Sequence, residues 1–169
     1  MRFPFFGPRK LADAGPLYGA IVAETRRPDW YREAQVPDTL DGRFAVLTSL
    51  LALTDIRLER GSDEAQEMGP RLAEAFITDM DSQMREAGFG DPSLGKQVRT
   101  MVGSLAGRVD RWRLAVEAVK PWNETVRASL YGDSPPGAEA VDRGVEATRD
   151  WWRRLQETSD SALVAGQIR

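Results

Sequence analysis

Val36-Pro37-Asp38-Thr39-Leu40-Asp41-Gly42-Arg43-Phe44 is the stretch on which the reading of this chain turns. Pro37 cannot occupy a helix interior, so the chain turns or stops there. Asp38 and Thr39 are both good N-cap residues, and Asp41 puts negative charge in the first turn of the helix they would start. The residues onward to Leu58 read as an apolar helix, so the spacing predicts a central helix over about Thr39 to Arg60, with Gly61 ending it. Arg43 and Phe44 leave that helix within its first turns. Such a pair either closes a core, through an ion pair with an aromatic packed over it, or forms a recognition surface.

Helical periodicity extends outward in both directions, and no segment alternates over strand length. Pro16 fits the first position of a helix running to about Arg26. Pro28 restarts the chain, and Asp29 to Glu33 reads as a short helix anchored by Trp30 and Tyr31. Beyond Gly61, Ser62-Asp63-Glu64 has the form of a helix start, and Gly69-Pro70 is expected to kink or restart that helix. Leu72, Phe76, Met80 and Met84 then recur every four residues. On that wheel Asp79 falls on the apolar face and Asp81 nearly opposite. A carboxylate on a buried face needs a partner, and Arg43 is the candidate; the alternative is a groove in which Asp79 meets another protein.

Gly88 is placed to end this helix in the left-handed conformation, and Asp91-Pro92 to start the next, with Asp91 as N-cap. Leu94, Val98, Val102, Leu105, Val109, Trp112, Val116 and Val119 make the cleanest apolar stripe in the sequence, as expected of a helix packed along most of its length. Gly103 and Gly107 lie opposite. Pro121 stops the helix, Trp122 to Tyr131 forms a further short helix or turn, and residues 132–137 are a loop. The last helix presents Val141, Val145, Thr148, Trp152 and Leu155. Trp151 falls off that stripe beside Arg149, Arg153 and Arg154, a corner that grips RNA or an acidic lipid surface, or is a solvated helix edge. The expected architecture is all-α: one domain of about six or seven helices over 11–157, between a tail at 1–10 and a tail at 158–169 that frays.

Composition narrows the chemistry. The 169 residues are 41% hydrophobic and 29% charged, with a net charge of −3, which argues against a general nucleic-acid binder and against DNA. There is no cysteine and no histidine. That removes disulfides, thiol nucleophiles, imidazole bases and the usual zinc sites. Asp79 and Asp81 are two apart on a helix and do not face one another, so they are no metal pair. No stretch reaches the roughly 20 apolar residues of a membrane-spanning helix. The N-terminal residues, with Phe3, Phe5 and Phe6, are too short for a secretory signal and are expected to fold back on the core. The expected compartment is the cytoplasm. No catalytic residue, metal or cofactor is assigned, and the profile suits a binding module better than an enzyme.

The order of motifs resembles the ubiquinol–cytochrome c chaperone family, which includes mitochondrial assembly factors for the cytochrome bc1 complex and alphaproteobacterial relatives. The likeness rests on Val36 to Phe44, Arg57-Leu58, Asp79-Met80-Asp81, Arg85-Glu86-x-Gly88, Gly90-Asp91, Lys96 and Gly107-Arg108. It implies a helical, non-enzymatic chaperone that binds newly made cytochrome b, or another bc1 subunit, near the ribosome exit, with peripheral contact at the inner membrane. By the same resemblance Pro37, Asp38, Thr39, Arg43, Phe44, Asp79 and Arg85 form the shared surface or its support. A groove walled by Phe44, Met80 and Met84 would receive an apolar client helix. The family pattern often carries a histidine downstream of Pro-Asp-Thr, where this chain has Leu50. The alternative reading is a small-molecule-binding helical domain or an enzyme working with carboxylates. A closed pocket of converging acids would favour that reading, and an open apolar groove the chaperone.

Overall fold

A short polar side chain that can take an orphan backbone N–H marks the start of several helices in this chain. The computed structural model describes residues 13–169, and among these there are helices and no strands. They are α1 (Gly15–Thr25), α2 (Asp29–Arg32), α3 (Leu40–Glu59), α4 (Asp63–Glu86), α5 (Asp91–Val116), α6 (Trp122–Val126) running on into a π-helical turn (Arg127–Tyr131), α7 (Ala138–Glu157) and α8 (Asp160–Val164). Thr39, Ser62 and Ser159 cap α3, α4 and α8 through hydroxyls that accept from the N–H three residues on. The fold-back expected for Phe3, Phe5 and Phe6, and the tail boundary at residue 10, lie outside the described residues.

The central helix is where the sequence placed it. α3 touches α1, α4, α5, α7 and the π-helical turn, and Val46, Leu50, Ala52, Leu53, Ile56 and Leu58 have no exposed surface. Its buried hydroxyls are satisfied locally: Thr48, Ser49 and Thr54 each donate to a carbonyl four residues back. The α2 aromatics finish α1: Trp30 Nε1 donates to the Glu24 carbonyl and Tyr31 OH to that of Thr25.

Four local expectations are corrected. Of the kink or restart expected at Gly69-Pro70, the restart does not occur: α4 continues through Pro70. The residue before a proline is normally pushed out of the α region by a clash with its Cβ, and Gly69 has none. At the start of α5 the N-cap is Gly90, not Asp91, whose carboxylate is held by Arg85 at 3.1 Å. On α7 the buried stripe is Val141, Gly144, Thr148, Trp151 and Leu155. Trp151 is in the core and donates to the Leu50 carbonyl, while Trp152 is the half-exposed one, with Arg60 over its ring. The reason is Gly144: a Cβ there would stand 2.7 Å from the Tyr131 hydroxyl, so α7 sits down on its glycine side. The basic corner is accordingly spent within the fold, with Arg153 paired to Asp150 and Glu157 and Arg154 to Glu24.

The fourth correction is the C-terminus, which packs. Leu163 is fully buried, and Gly166, at φ +73°, lies against the Pro16 carbonyl of α1. Arg57 gathers the end of α7 by donating to the carbonyls of Leu155 and Thr158, both at 3.0 Å, and pairs with Asp160 at 2.7 Å. Asp160 also accepts from the Ser62 N–H. That backbone bond first, and Arg57 second, hold its carboxyl below the ordinary range. A carboxyl whose folded pKa is depressed contributes stability that is full above its unfolded pKa and disappears as pH falls through the folded one. Asp160→Asn is therefore expected to lower the melting temperature at neutral pH and to flatten the acid limb between about pH 4 and 2. Parallel acid limbs for parent and variant in thermal melts across that range would refute this.

Candidate functional site

The sequence-derived candidates divide into an exposed cluster and a buried one. Pro37, Asp38 and Thr39 are all exposed, and so is Arg43, with its side chain 63% accessible. The expected Arg43–Asp79 pair does not form. Arg43 Nε donates to Asp38 Oδ1 at 2.8 Å, because a helix start five residues on lies within easy reach of the turn before it. Asp79 instead accepts from Tyr18 OH at 2.6 Å and from Gln83 Nε2 at 3.0 Å. Burial, and next the Asp79 carboxylate, push the Tyr18 hydroxyl pKa up, so it stays a donor. Asp79 is thereby tied to α1 and not to α3. Arg85 is exposed and pairs with Asp81 one turn back on α4 and with Asp91 across the α4–α5 turn.

Met80 and Met84 are 4% and 7% exposed and belong to the interior, not to the wall of an open groove. Below them α4 closes in a Schellman motif: the Phe89 N–H donates to the Met84 carbonyl and the Gly88 N–H to that of Arg85, with Gly88 at φ +89°. Gly88 is the glycine the sequence marked for this end.

Of the predicted site residues, Phe44 sits where exposed apolar surface begins. Its ring is half-buried, 6.2 Å from that of Phe76, and Leu40, one turn earlier, is 66% exposed. Across from it, α5 is not covered along most of its length as its stripe implied. Leu94 is buried, but Val98, Met101, Leu105 and Val109 are only half-covered, and Val102 is exposed. Phe89, at the α4–α5 turn, is also exposed. The stripe was legible; which part of it lacks a facing helix depends on tertiary packing and was not.

Arg108 joins these two surfaces, and sequence reasoning assigned it no role. Its guanidinium lies 5.6 Å from the centre of the Phe44 ring. Nη1 donates to Ser104 Oγ at 2.7 Å and Nη2 to the Ser129 carbonyl of the π-helical turn at 3.4 Å. Burial, and then Arg111, depress its pKa, and no described carboxylate pairs with it. Its Nε is buried without a hydrogen-bond partner. Trp112 Nε1, Thr125 Oγ1 and Ser129 Oγ share that condition, so a polar seam runs between α5 and the α6–π segment. The signal available in advance was the i, i+4, i+7 spacing of Met101, Leu105 and Arg108, which puts a cation on an apolar stripe.

A cleft of about 430 Å³ opens between α3 and α4, lined in part by Asp55, Glu59 and Gln66. Burial, and after it Glu59, raise the Asp55 pKa, while Glu59 is committed to Arg113. Among the described residues no three acids come together in a way that could hold a metal ion, and no helix is long and apolar enough to cross a membrane.

Against known proteins, residues 32–169 match the family model described as ubiquinol-cytochrome C chaperone. Among solved structures, the chain is similar to the Cbp3 homolog from Brucella abortus. The TM-score is 0.76 at 28% identity, over 90% of this chain and 85% of that one. No curated protein matches. With a family match over most of its length and the same fold in a solved relative, this chain belongs to the ubiquinol-cytochrome C chaperone family.

Proposed function

We propose that this protein is a non-enzymatic assembly chaperone. It holds newly made cytochrome b, or a related respiratory membrane subunit, during biogenesis of the cytochrome bc1 complex. The family match over residues 32–169 carries this reading. The apolar side chains left exposed or half-covered on α3 (Leu40, Phe44) and on α5 (Val98, Met101, Val102, Leu105), two helices linked by Arg108 against Phe44, are the natural receiver. A membrane subunit emerging from the ribosome exposes apolar helices that water does not tolerate, and an uncovered helix face shields such a segment without enclosing it. Pro37, Asp38, Thr39 and Arg43 shape the rim beside Phe44, and Arg85 holds the α4–α5 turn that carries Phe89. Asp79, Met80 and Met84 support the face from behind. Peripheral attachment at the inner membrane, near the ribosome exit, accords with the nature of the client.

The test is in-cell photocrosslinking from position 102 and, separately, from position 40, with mass spectrometry of the captured species. Position 139, on the exposed side of α7, serves as control. Cytochrome b is expected from 102 and 40 and not from 139. Equal capture from all three positions, or none from 102 and 40, would overturn the reading.

A further inference from the structure

A cation partly withdrawn from water without an anion is costly, and proteins keep one where something else supplies the countercharge. Arg108 has five N–H donors, of which two are used, one of those weakly at 3.4 Å. Its Nε is desolvated and unmatched, and the neighbouring Arg111 adds to the local positive potential. Ser104 on one side and the Ser129 carbonyl on the other hold the guanidinium plane, with Phe44 against it. The fork is thus oriented before any ligand arrives, as bidentate recognition of a carboxylate requires. It also sits on the same stripe of α5 as Met101 and Leu105, both half-covered.

From this geometry we infer that Arg108 is the polar anchor of the apolar face: it receives the carboxylate of a single Asp or Glu carried on an otherwise apolar helix of the bound protein. The inference rests on the chaperone reading and adds the chemistry by which that face selects among apolar segments. An acidic residue on an apolar helix has no favourable place in lipid or in a purely apolar groove, so a half-buried guanidinium discriminates in its favour.

The test uses the full chain and helical Leu/Ala peptides of about 20 residues. Each has lysine ends and one central Glu, or Gln in its place, in non-ionic detergent, with binding read by fluorescence anisotropy. The Glu peptide is expected to bind about 10-fold more tightly than the Gln peptide. Arg108→Gln is expected to reduce that preference to within about twofold. Ser104→Ala, which loosens one anchor of the guanidinium, should cut the preference part-way and keeps the test open if Arg108→Gln melts early. Equal binding of both peptides to the parent would overturn the carboxylate anchor and leave the apolar face standing. No binding of either would remove the face and the anchor together. A Glu preference that survives Arg108→Gln would assign the carboxylate to another cation. Arg108-dependent binding to phosphatidylglycerol vesicles, with no peptide preference, would assign the site to a lipid headgroup instead and overturn the inference.

Discussion

Gly42→Ala is expected to destabilise the protein by about 4 kcal/mol, lowering its melting temperature by roughly 10 °C or more. An added Cβ would overlap the Pro37 carbonyl oxygen and stand 2.9 Å from its carbon and 3.3 Å from Val36 Cγ1. The first two are backbone atoms of a turn whose φ is locked by the proline ring, so no rotamer change makes room. Relief requires the turn to leave the first turn of α3, and with it the Thr39 cap and the seat of the buried Val36. Gly103→Ala is the matched control. It is exposed within α5 with open space around its Cβ position, so alanine there should stabilise by up to about 1 kcal/mol. Thermal melts of both variants decide the matter. A Gly42→Ala protein melting within a few degrees of the parent would show that the turn yields and that the close approach has no energetic weight. The contrast also bears on function: loss of activity from changes at Gly42 should be read as loss of fold, whereas Asp38 and Arg43, both exposed, can be altered without that ambiguity.

Local chemistry was mostly legible where one residue decides one bond, the cap expected of Asp91 being the exception. The Thr39 start of α3, the Ser62 start of α4, the Gly88 end of α4 and the anchoring of α2 by Trp30 and Tyr31 are all set by side-chain type and spacing, and all are found. The all-helical class came from periodicity for the same reason. What was not legible depends on which helix faces which. Asp79 was correctly placed on an inward side needing a partner, but Tyr18 and Arg43 are equally available in sequence, and only the packing of α1 against α4 chooses Tyr18. The C-terminal segment carries few apolar residues, yet Leu163 and Gly166 find tight sites supplied by distant parts of the chain. Arg108 was noticed only as part of the Gly107-Arg108 motif and given no role of its own, because an arginine in an apolar stripe is ordinary in sequence. It becomes distinctive only once no described acid is found beside it and its Nε is seen to be buried.

The assignment of Trp151 to the core and Trp152 to its edge, the reverse of what the sequence stripe implied, carries the second large effect. Trp151→Ala is expected to cost about 4 kcal/mol, since it deletes a fully buried indole and leaves a cavity that α3 and α7 cannot fill by collapse. It also removes the donor to the Leu50 carbonyl, although Thr54 still bonds that oxygen. Trp152→Ala removes a half-exposed ring and the Arg60 contact at 5.8 Å, and should cost about 1 kcal/mol. In a chain of this size the two variants should therefore melt several degrees apart, with Trp151→Ala the lower. Intrinsic fluorescence gives an independent check, because the more water-quenched, red-shifted component should vanish in Trp152→Ala and persist in Trp151→Ala. If the order of melting is reversed, α7 is rotated by one residue relative to the structure described. The glycine at 144 would then no longer be the point where Tyr131 approaches. The π-helical turn that supplies Arg108 with its carbonyl partner would need a different seat as well, so this pair of tryptophans tests the frame on which the functional face is built.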